Sequence, residues 1–171
     1  EPLGGHPMCG REVAGIAAAE ATLYRGCTFI LTPLARTSPD ALALGESLVQ
    51  AVGAHPLVLK PNQQDRLAAT ISHLPYLLAC ALVNTADVLT SSDPAAWEII
   101  AGGFRDTTRI AGSDVTMMLD ILLTNREEVL EALNTYRAHV RRLAQLIASG
   151  EEKDLRQALT TIRKLRREMY P

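Results

Sequence analysis

Residues 66–87 read RLAATISHLPYLLACALVNTAD, an apolar run in which no charge lies between Arg66 and Asp87. His73, Pro75 and several hydroxyl and amide side chains interrupt this run, so it is too polar for a convincing transmembrane helix. It is also too apolar for a helix that faces water on most of its surface. The run therefore predicts a helix that is buried on most sides, in a core or in a subunit interface.

The sequence around and after this run has a helical pattern throughout. We expect a long helix that Asn62 caps, that reaches about Leu89 and that kinks at Pro75, because proline removes a backbone donor. Asn125 is predicted to cap a further helix, in which apolar residues over 129–147 repeat in steps of four and three. That spacing is typical of a helix that packs along another helix. One more amphipathic helix is expected at the C-terminus.

The sequence before this run has an α/β pattern. Residues 27–32 read CTFILT, a β-prone segment that Pro33 closes. Ser38 and Pro39 predict the start of an amphipathic helix, and a second short strand is expected after it at residues 56–59. Two or three short strands form a poor sheet alone, so this part is typical of the end of a larger sheet.

Composition and charge exclude several classes of function. The chain has 171 residues and a net charge of −2, which gives no reason to expect a polyanion as partner. The C-terminal arginines are interleaved with acidic residues, as in a solvated helix face rather than a nucleic-acid surface. Three widely spaced cysteines fit neither a disulfide framework nor a metal site, and they favour free thiols in a reducing cytoplasm. The first residues do not have the pattern of a signal peptide.

Residues 4–12 read GGHPMCGRE and superficially resemble a phosphate-binding loop. A P-loop needs a lysine followed by serine or threonine, and Arg11 and Glu12 stand at those positions here. The chain contains no G-x-G-x-x-G motif, so it lacks the usual pyrophosphate cradle of a dinucleotide fold. His6 precedes a proline, which favours extended backbone, and it is either an acid–base catalyst or an ordinary loop histidine.

Two further groups of residues suggest a binding site. His73 is either a core histidine or a polar group set in an apolar wall, as ligand pockets require. A short helix that includes Ile100 is expected to end at the glycines that follow it, and a second helical stretch then carries Arg105 and Arg109 on one face. Two guanidinium groups on one face suit a small dianion. The alternative is a solvated face with Asp106 as the counter-ion.

Taken together, four stretches resemble the prephenate/arogenate dehydrogenase family, the oxidoreductases of tyrosine biosynthesis. They are GGHPMCGRE at 4–12, LYRGCTFILTP at 23–33, ISHLPYLLACALV at 71–83 and GGFRDTTRIAGSD at 102–114. Each stretch is weak alone, but the four occur in the family's order. The resemblance implies a mainly α fold, with an all-helical dimerisation and substrate-binding bundle at residues 61–171. A small α/β remnant of a Rossmann-type nucleotide-binding domain would precede it at residues 1–60.

The resemblance implies a reaction and a base for it. In this family prephenate is oxidised with NAD or NADP and carbon dioxide leaves, which gives 4-hydroxyphenylpyruvate. His6 would be the general base that takes the proton of the ring hydroxyl, and His73 would contact the substrate. The chemistry is consistent, because a hydroxyl proton needs a neutral imidazole within hydrogen-bond reach.

The resemblance also implies roles for the charged residues. Arg109 would bind a carboxylate of the substrate, and Arg105 would add positive potential. Asp106 would order the two arginines, and Glu12 would pair with the arginine cluster and gate the site. Prephenate carries two carboxylates, for which arginine side chains are suited.

The resemblance further implies a cytoplasmic homodimer that acts on prephenate or arogenate, with no nucleic-acid or membrane partner. Because the chain lacks the glycine-rich half of the nucleotide-binding domain, we expect a C-terminal part of the enzyme that is inactive alone. One alternative is a stand-alone helical dimerisation or ligand-binding module. A weaker one is the helical substrate domain of another β-hydroxyacid-type dehydrogenase. The sequence leaves open prephenate against arogenate and NAD against NADP.

Overall fold

The computed structural model describes residues 1–10 and 15–169, apart from the side chain of Pro94. It is mainly helical, as the sequence predicts, and it has one three-stranded sheet. The strands are β1 Leu3–Pro7, β2 Thr28–Pro33 and β3 His55–Val58. The α-helices are α1 Pro39–Ala51, α2 Pro61–Ala68, α3 Leu74–Thr90, α4 Gly102–Thr108, α5 Val115–Thr124, α6 Arg126–Ser149 and α7 Glu152–Met169. The chain divides into two compact units, Glu1–Val129 and Leu130–Pro171.

The sheet has β2 at its centre, with β1 antiparallel on one side and β3 parallel on the other. β2, α1 and β3 form the predicted strand–helix–strand unit, and Leu31, Val49 and Ala54 are its buried core. The sequence does not predict β1, because its Gly-Gly-His-Pro run has low strand propensity. This segment is ordered by its pairing with β2. Leu3 lies opposite Pro33, and Pro7 lies opposite Phe29.

The predicted start of α1 is confirmed. Ser38 is the N-cap, and its hydroxyl oxygen accepts a hydrogen bond of 3.1 Å from the backbone nitrogen of Ala41. After the helix ends, Gly53 adopts φ +79°, a conformation that other residues rarely take. This turn lets the chain enter β3, and the Gly53 carbonyl accepts a hydrogen bond of 2.8 Å from the Gly26 nitrogen.

One continuous helical run, Pro61–Thr90, consists of α2, a π-helical turn over Ala69–His73, and α3. It begins one residue before the predicted cap Asn62. Lys60 is the N-cap without a side-chain hydrogen bond, and the proline that follows supplies a preset φ. The π-helical turn ends two residues before Pro75, so the irregularity expected at this proline lies on its N-terminal side.

The run from α2 to α3 is long and apolar enough to cross a membrane, by length and composition alone. Four of its 30 residues are buried in the single chain, namely Ala68, Ala69, His73 and Ala79. By contrast, Ile71, Val88 and Leu89 are 67%, 72% and 76% exposed. Burial in the chain's own core therefore does not account for this apolar run, and burial in a subunit interface stays a prediction.

The segment with the two arginines differs from the expectation in two respects. The short helix expected to include Ile100 is a 3₁₀ turn that ends at Trp97. The two glycines begin α4 instead of ending a helix. Arg105 lies in α4, whereas Arg109 begins a 3₁₀ turn that ends at Gly112.

The second compact unit contains α6 from Leu130 onward and α7. Gly150 joins the two helices with φ +70°. Leu146 is buried, whereas no residue of α7 is buried and Ile147 is 67% exposed. The apolar seam of α6 and the apolar stripe of α7 thus leave much of their surface uncovered in the single chain, as in a surface that a partner helix covers.

Candidate functional site

His6 lies on β1, opposite Ile30 of β2, and is half-buried. The pairing of the two strands continues past His6, because the Met8 nitrogen donates a 2.8 Å hydrogen bond to the Thr28 carbonyl oxygen. A strand therefore positions His6, where the sequence predicts a glycine-rich turn. Residues on strands hold their geometry better than residues on loops, as a site for chemistry requires.

The side chain of Gln64, in α2, contacts His6. Its nitrogen Nε2 lies 2.6 Å from Nδ1 of the His6 ring. A ring nitrogen that faces an amide nitrogen has no proton, whereas one that faces an amide oxygen has one. The Gln64 amide therefore controls which nitrogen of the His6 ring is free to accept a proton.

The other end of the Gln64 amide lacks a partner. Its oxygen Oε1 is buried and forms no hydrogen bond within the described part of the chain. A buried acceptor without a donor costs about 1–3 kcal/mol. Among the buried side-chain oxygen and nitrogen atoms that the structure describes, Gln64 Oε1 is the one without a hydrogen-bond partner.

His73 ends the π-helical turn and is buried, with 7% of its surface exposed. The side-chain nitrogen of Asn125 lies 3.3 Å from Nδ1 of His73. The same Asn125 nitrogen donates a 2.8 Å hydrogen bond to the backbone carbonyl of Asp65. Asn125 therefore connects the start of α6 to both α2 and the buried histidine.

The two histidines share one electrostatic environment. Burial lowers the pKa of His73, and the nearby charge of His6 lowers it further. The Asp65 carboxylate acts in the opposite direction and is outweighed. His73 is therefore a neutral ring at about pH 7. The structure thus brings together the two histidines that the sequence singles out.

The predicted charged residues lie on a separate segment that packs on α3. Arg105, Asp106 and Arg109 are exposed, and α3 contacts both α4 and the 3₁₀ turn that Arg109 begins. Within the described residues, Asp106 forms no salt bridge, so its predicted role in ordering the arginines stays a prediction. Glu12 lies outside the described residues.

Two polar residues of this site are missing from the sequence-based expectation. Gln64 lies in a polar part of α2, where no apolar periodicity marks an inward-facing position. Asn125 is predicted only as a helix cap. Its carbonyl does accept a 3.1 Å hydrogen bond from the Val129 nitrogen, while its side chain contacts His73. Asn125 lies between α5 and α6 in the sequence, and this position alone does not indicate that its side chain contacts a histidine.

The described residues contain neither a candidate metal cluster nor a G-x-G-x-x-G dinucleotide motif. Within residues 1–10 and 15–169, no group of three His, Cys, Asp or Glu side chains could hold a metal. A pyrophosphate usually binds a helix N-terminus next to a glycine-rich turn. At α1 that position is taken by the Glu1 carboxylate, which accepts hydrogen bonds from the Ser38 hydroxyl and, at 3.2 Å, from the Ser38 nitrogen.

Comparison with known proteins places both parts of the chain in one family. Residues 60–161 match the family model described as "Prephenate dehydrogenase, dimerization domain". Residues 2–58 match the model described as "Prephenate dehydrogenase, nucleotide-binding domain". The prephenate dehydrogenase of Bacillus subtilis (strain 168) is 32% identical over 153 residues, which are 90% of this chain and 41% of that protein. The cyclohexadienyl dehydrogenase of Zymomonas mobilis is 31% identical over 147 residues, 85% of this chain and 50% of that protein.

Solved structures show the same fold. Prephenate dehydrogenase from Aquifex aeolicus, in complex with hydroxyphenyl propionate and NAD+, matches with a TM-score of 0.90 and 34% identity. That match covers 98% of this chain and 58% of the Aquifex chain. Synechocystis arogenate dehydrogenase matches with a TM-score of 0.83 and 29% identity, over 98% of this chain and 61% of its own. The chain thus spans about half the length of the curated relatives it matches.

Proposed function

Because this chain belongs to the prephenate dehydrogenase family, we propose that it supplies the substrate site of a dehydrogenase that acts on prephenate or arogenate. The reaction is the oxidative decarboxylation step of tyrosine biosynthesis, and it converts prephenate to 4-hydroxyphenylpyruvate. The family uses NAD(P), which supplies the hydride acceptor. The observation that carries the proposal is the convergence of His6 and His73, each in contact with a side-chain amide.

His6 is proposed as the general base that takes the proton of the ring hydroxyl. Acting through Nε2, it needs its own ring proton on Nδ1, and therefore an amide oxygen rather than nitrogen against Nδ1. A half-turn of the Gln64 amide provides this arrangement, because it brings the unpartnered Oε1 to Nδ1. After this half-turn, Gln64 Nε2 occupies the position where Oε1 is now buried without a hydrogen-bond donor.

His73 is proposed as a neutral contact to the substrate. Its lowered pKa keeps the ring uncharged, so it does not add a second positive charge when His6 accepts a proton. A neutral imidazole also offers a hydrogen-bond donor without attracting solvent anions into the site.

Arg109 is proposed to bind a substrate carboxylate, and Arg105 to add positive potential beside it. Both side chains are exposed and lie in consecutive turns of the segment that packs on α3. A guanidinium forms two parallel hydrogen bonds to a carboxylate, which fixes the orientation of the bound acid. Asp106 and Glu12 are proposed as acidic residues that order and gate this cluster.

The active form is proposed to be a cytoplasmic homodimer whose interface covers the exposed apolar surface of α3 and α6. The match of residues 60–161 to a dimerisation domain supports this proposal, as do the exposed Val88 and Leu89. The domain boundary is proposed near residue 60, where the two family matches meet. This chain alone is proposed to be inactive, because its described residues offer no pyrophosphate cradle.

The base is tested in the complete protein with purified prephenate, arogenate and both nicotinamide cofactors. We expect His6→Asn to lower kcat by about 10²- to 10⁴-fold with little change in KM, since general-base catalysis has this magnitude. The matched control is His139→Asn, an exposed histidine of α6. Retention of wild-type turnover by the His6 variant would show that the base lies elsewhere.

The carboxylate contact is tested in the same assay. Arg109→Ala should raise KM for the substrate by about 10-fold or more, because it removes a charge-assisted pair. Arg137→Ala, an exposed arginine of α6, is the control. A change confined to kcat would contradict a binding role for Arg109.

A further inference from the structure

The contact with the Asp65 backbone fixes the orientation of the Asn125 side-chain amide. Its side-chain nitrogen lies 2.8 Å from the Asp65 carbonyl oxygen, which can only accept a hydrogen bond. An amide oxygen at that position would face another acceptor. The group that faces Asp65 is therefore the NH₂ group, and the ambiguity between amide oxygen and nitrogen does not arise here.

This orientation determines the protonation of His73. The same Asn125 nitrogen lies 3.3 Å from His73 Nδ1. Because an amide nitrogen only donates, Nδ1 is an acceptor without a proton, and the single proton of the neutral ring lies on Nε2. The buried ring thus presents an N–H group on the side away from Asn125.

We propose that Asn125 is a positioning residue, which holds His73 as the Nε2–H tautomer so that it donates a hydrogen bond to an acceptor oxygen of the substrate. This inference rests on the proposed function only in making His73 a substrate contact. The tautomer itself follows from the contacts of Asn125 with Asp65 and His73.

The surroundings of His73 agree with this role. The charged or titratable groups that act on the ring are His6 and Asp65, and the Asp65 backbone already accepts from Asn125. Burial lowers the pKa of His73, so the ring does not acquire a second proton at about pH 7. What remains to be determined is which ring nitrogen of neutral His73 carries the proton, and the contact with Asn125 places it on Nε2.

The first experiment observes the tautomer directly in the complete protein without substrate. Nitrogen NMR of protein with isotope-labelled histidine reports whether Nδ1 or Nε2 carries the proton, and His73→Gln assigns the signals. We expect an Nε2–H ring in the wild type. In Asn125→Asp the carboxylate accepts from Nδ1, so Nδ1 becomes protonated. Asn134→Asp, the same change at an exposed position of α6, should leave the His73 signals unchanged.

The second experiment measures the effect on binding. In Asn125→Asp, the Nε2 donor exists only while the ring is doubly protonated, so the ratio of its KM to the wild-type KM should rise with pH. We expect this ratio to rise by about 10-fold between about pH 6 and about pH 9. The Asn134→Asp ratio should stay constant over the same range.

An Nδ1–H ring in the wild type would overturn the inference, even if Asn125→Asp fails to fold. A pH-independent KM ratio for a folded Asn125→Asp would overturn the positioning role. Absence of any prephenate- or arogenate-dependent turnover in the complete wild-type protein would instead refute the proposed function. The NMR result is independent of turnover, so the two failures are distinguishable.

Discussion

Replacing Asn125 by alanine removes two hydrogen bonds of unequal value. The bond to the Asp65 carbonyl is exposed, and such a bond contributes about 0.5–1.5 kcal/mol. The bond to His73 Nδ1 is partly buried, and losing it leaves an acceptor without a donor, at about 1–3 kcal/mol. Since 3.3 Å is a long hydrogen bond, the lower half of that range applies. We therefore expect Asn125→Ala to lower the free energy of unfolding by about 1.5–3.5 kcal/mol.

The assay is urea unfolding followed by circular dichroism, with a thermal melt as a second measurement. A loss of this size should lower Tm by about 3–14 °C in a chain of 171 residues. Asn134→Ala is the matched control, because this exposed asparagine of α6 accepts only a long 3.4 Å contact from Arg137. It should change the unfolding free energy by less than about 0.5 kcal/mol.

The pH dependence of this loss provides the sharper test. Asn125 stabilises the His73 ring only while Nδ1 is unprotonated. If Nδ1 is protonated, its N–H group faces the side-chain NH₂ group of Asn125, and two donors cannot form a hydrogen bond. The loss of unfolding free energy in Asn125→Ala should therefore have its full size above about pH 6.5. It should become smaller as the pH falls through the lowered pKa of folded His73. An equal loss at about pH 8 and at a lower pH where NMR shows the His73 ring to be protonated, or a loss below about 1 kcal/mol at about pH 8, would refute this reasoning.

Three further predictions follow from the structure. Gly53→Ala should lower the unfolding free energy by about 1 kcal/mol in urea titrations, because Gly53 has φ +79°, and an unchanged midpoint would contradict this. The pKa of His73 is lowered on folding, so wild-type stability should fall as the pH drops below about 6.5. His73→Gln should flatten that slope in the same titration, and an identical slope would place its origin elsewhere. Burial and the neighbouring Cys27 raise the pKa of the Cys9 thiol, so Cys9 should react with iodoacetamide more slowly than a free cysteine at about pH 8. Mass spectrometry of the labelled peptide measures this rate, and equal rates would count against the shift.

Local patterns were sufficient for most of the fold. A proline after a serine marks the start of α1, where the Ser38 hydroxyl oxygen accepts a 3.1 Å hydrogen bond from the Ala41 nitrogen. These signals act over a few residues and therefore appear in the sequence. β1 is different, because its order comes from pairing with β2, whose residues lie about 25 positions away along the chain.

The sequence identifies the two histidines of the site, but it does not predict their proximity or their contacts with Gln64 and Asn125. The proline after His6, the apolar run around His73 and the family resemblance identify the two histidines as candidates. Their convergence depends on the packing of α2 against the sheet. Gln64 and Asn125 matter only because tertiary structure brings an amide to each ring. Neither contact leaves a periodic mark on the sequence.

The π-helical turn at Ala69–His73 has a consequence for the surface of the helices around it. The Leu74 nitrogen donates to the Ala69 carbonyl, five residues back, so this turn holds one residue more than an α-helical turn. One residue corresponds to about 100° of rotation around a helix axis. The turn therefore absorbs its extra residue: deleting one residue within it would restore an α-helical turn and leave the relative orientation of the faces of α2 and α3 unchanged. A deletion inside α3 would instead rotate the side chains that follow it by about 100°. An alignment with a relative that has a plain α-helix here therefore needs a one-residue gap at this turn, because a slip by one position would compare side chains about 100° apart around α3.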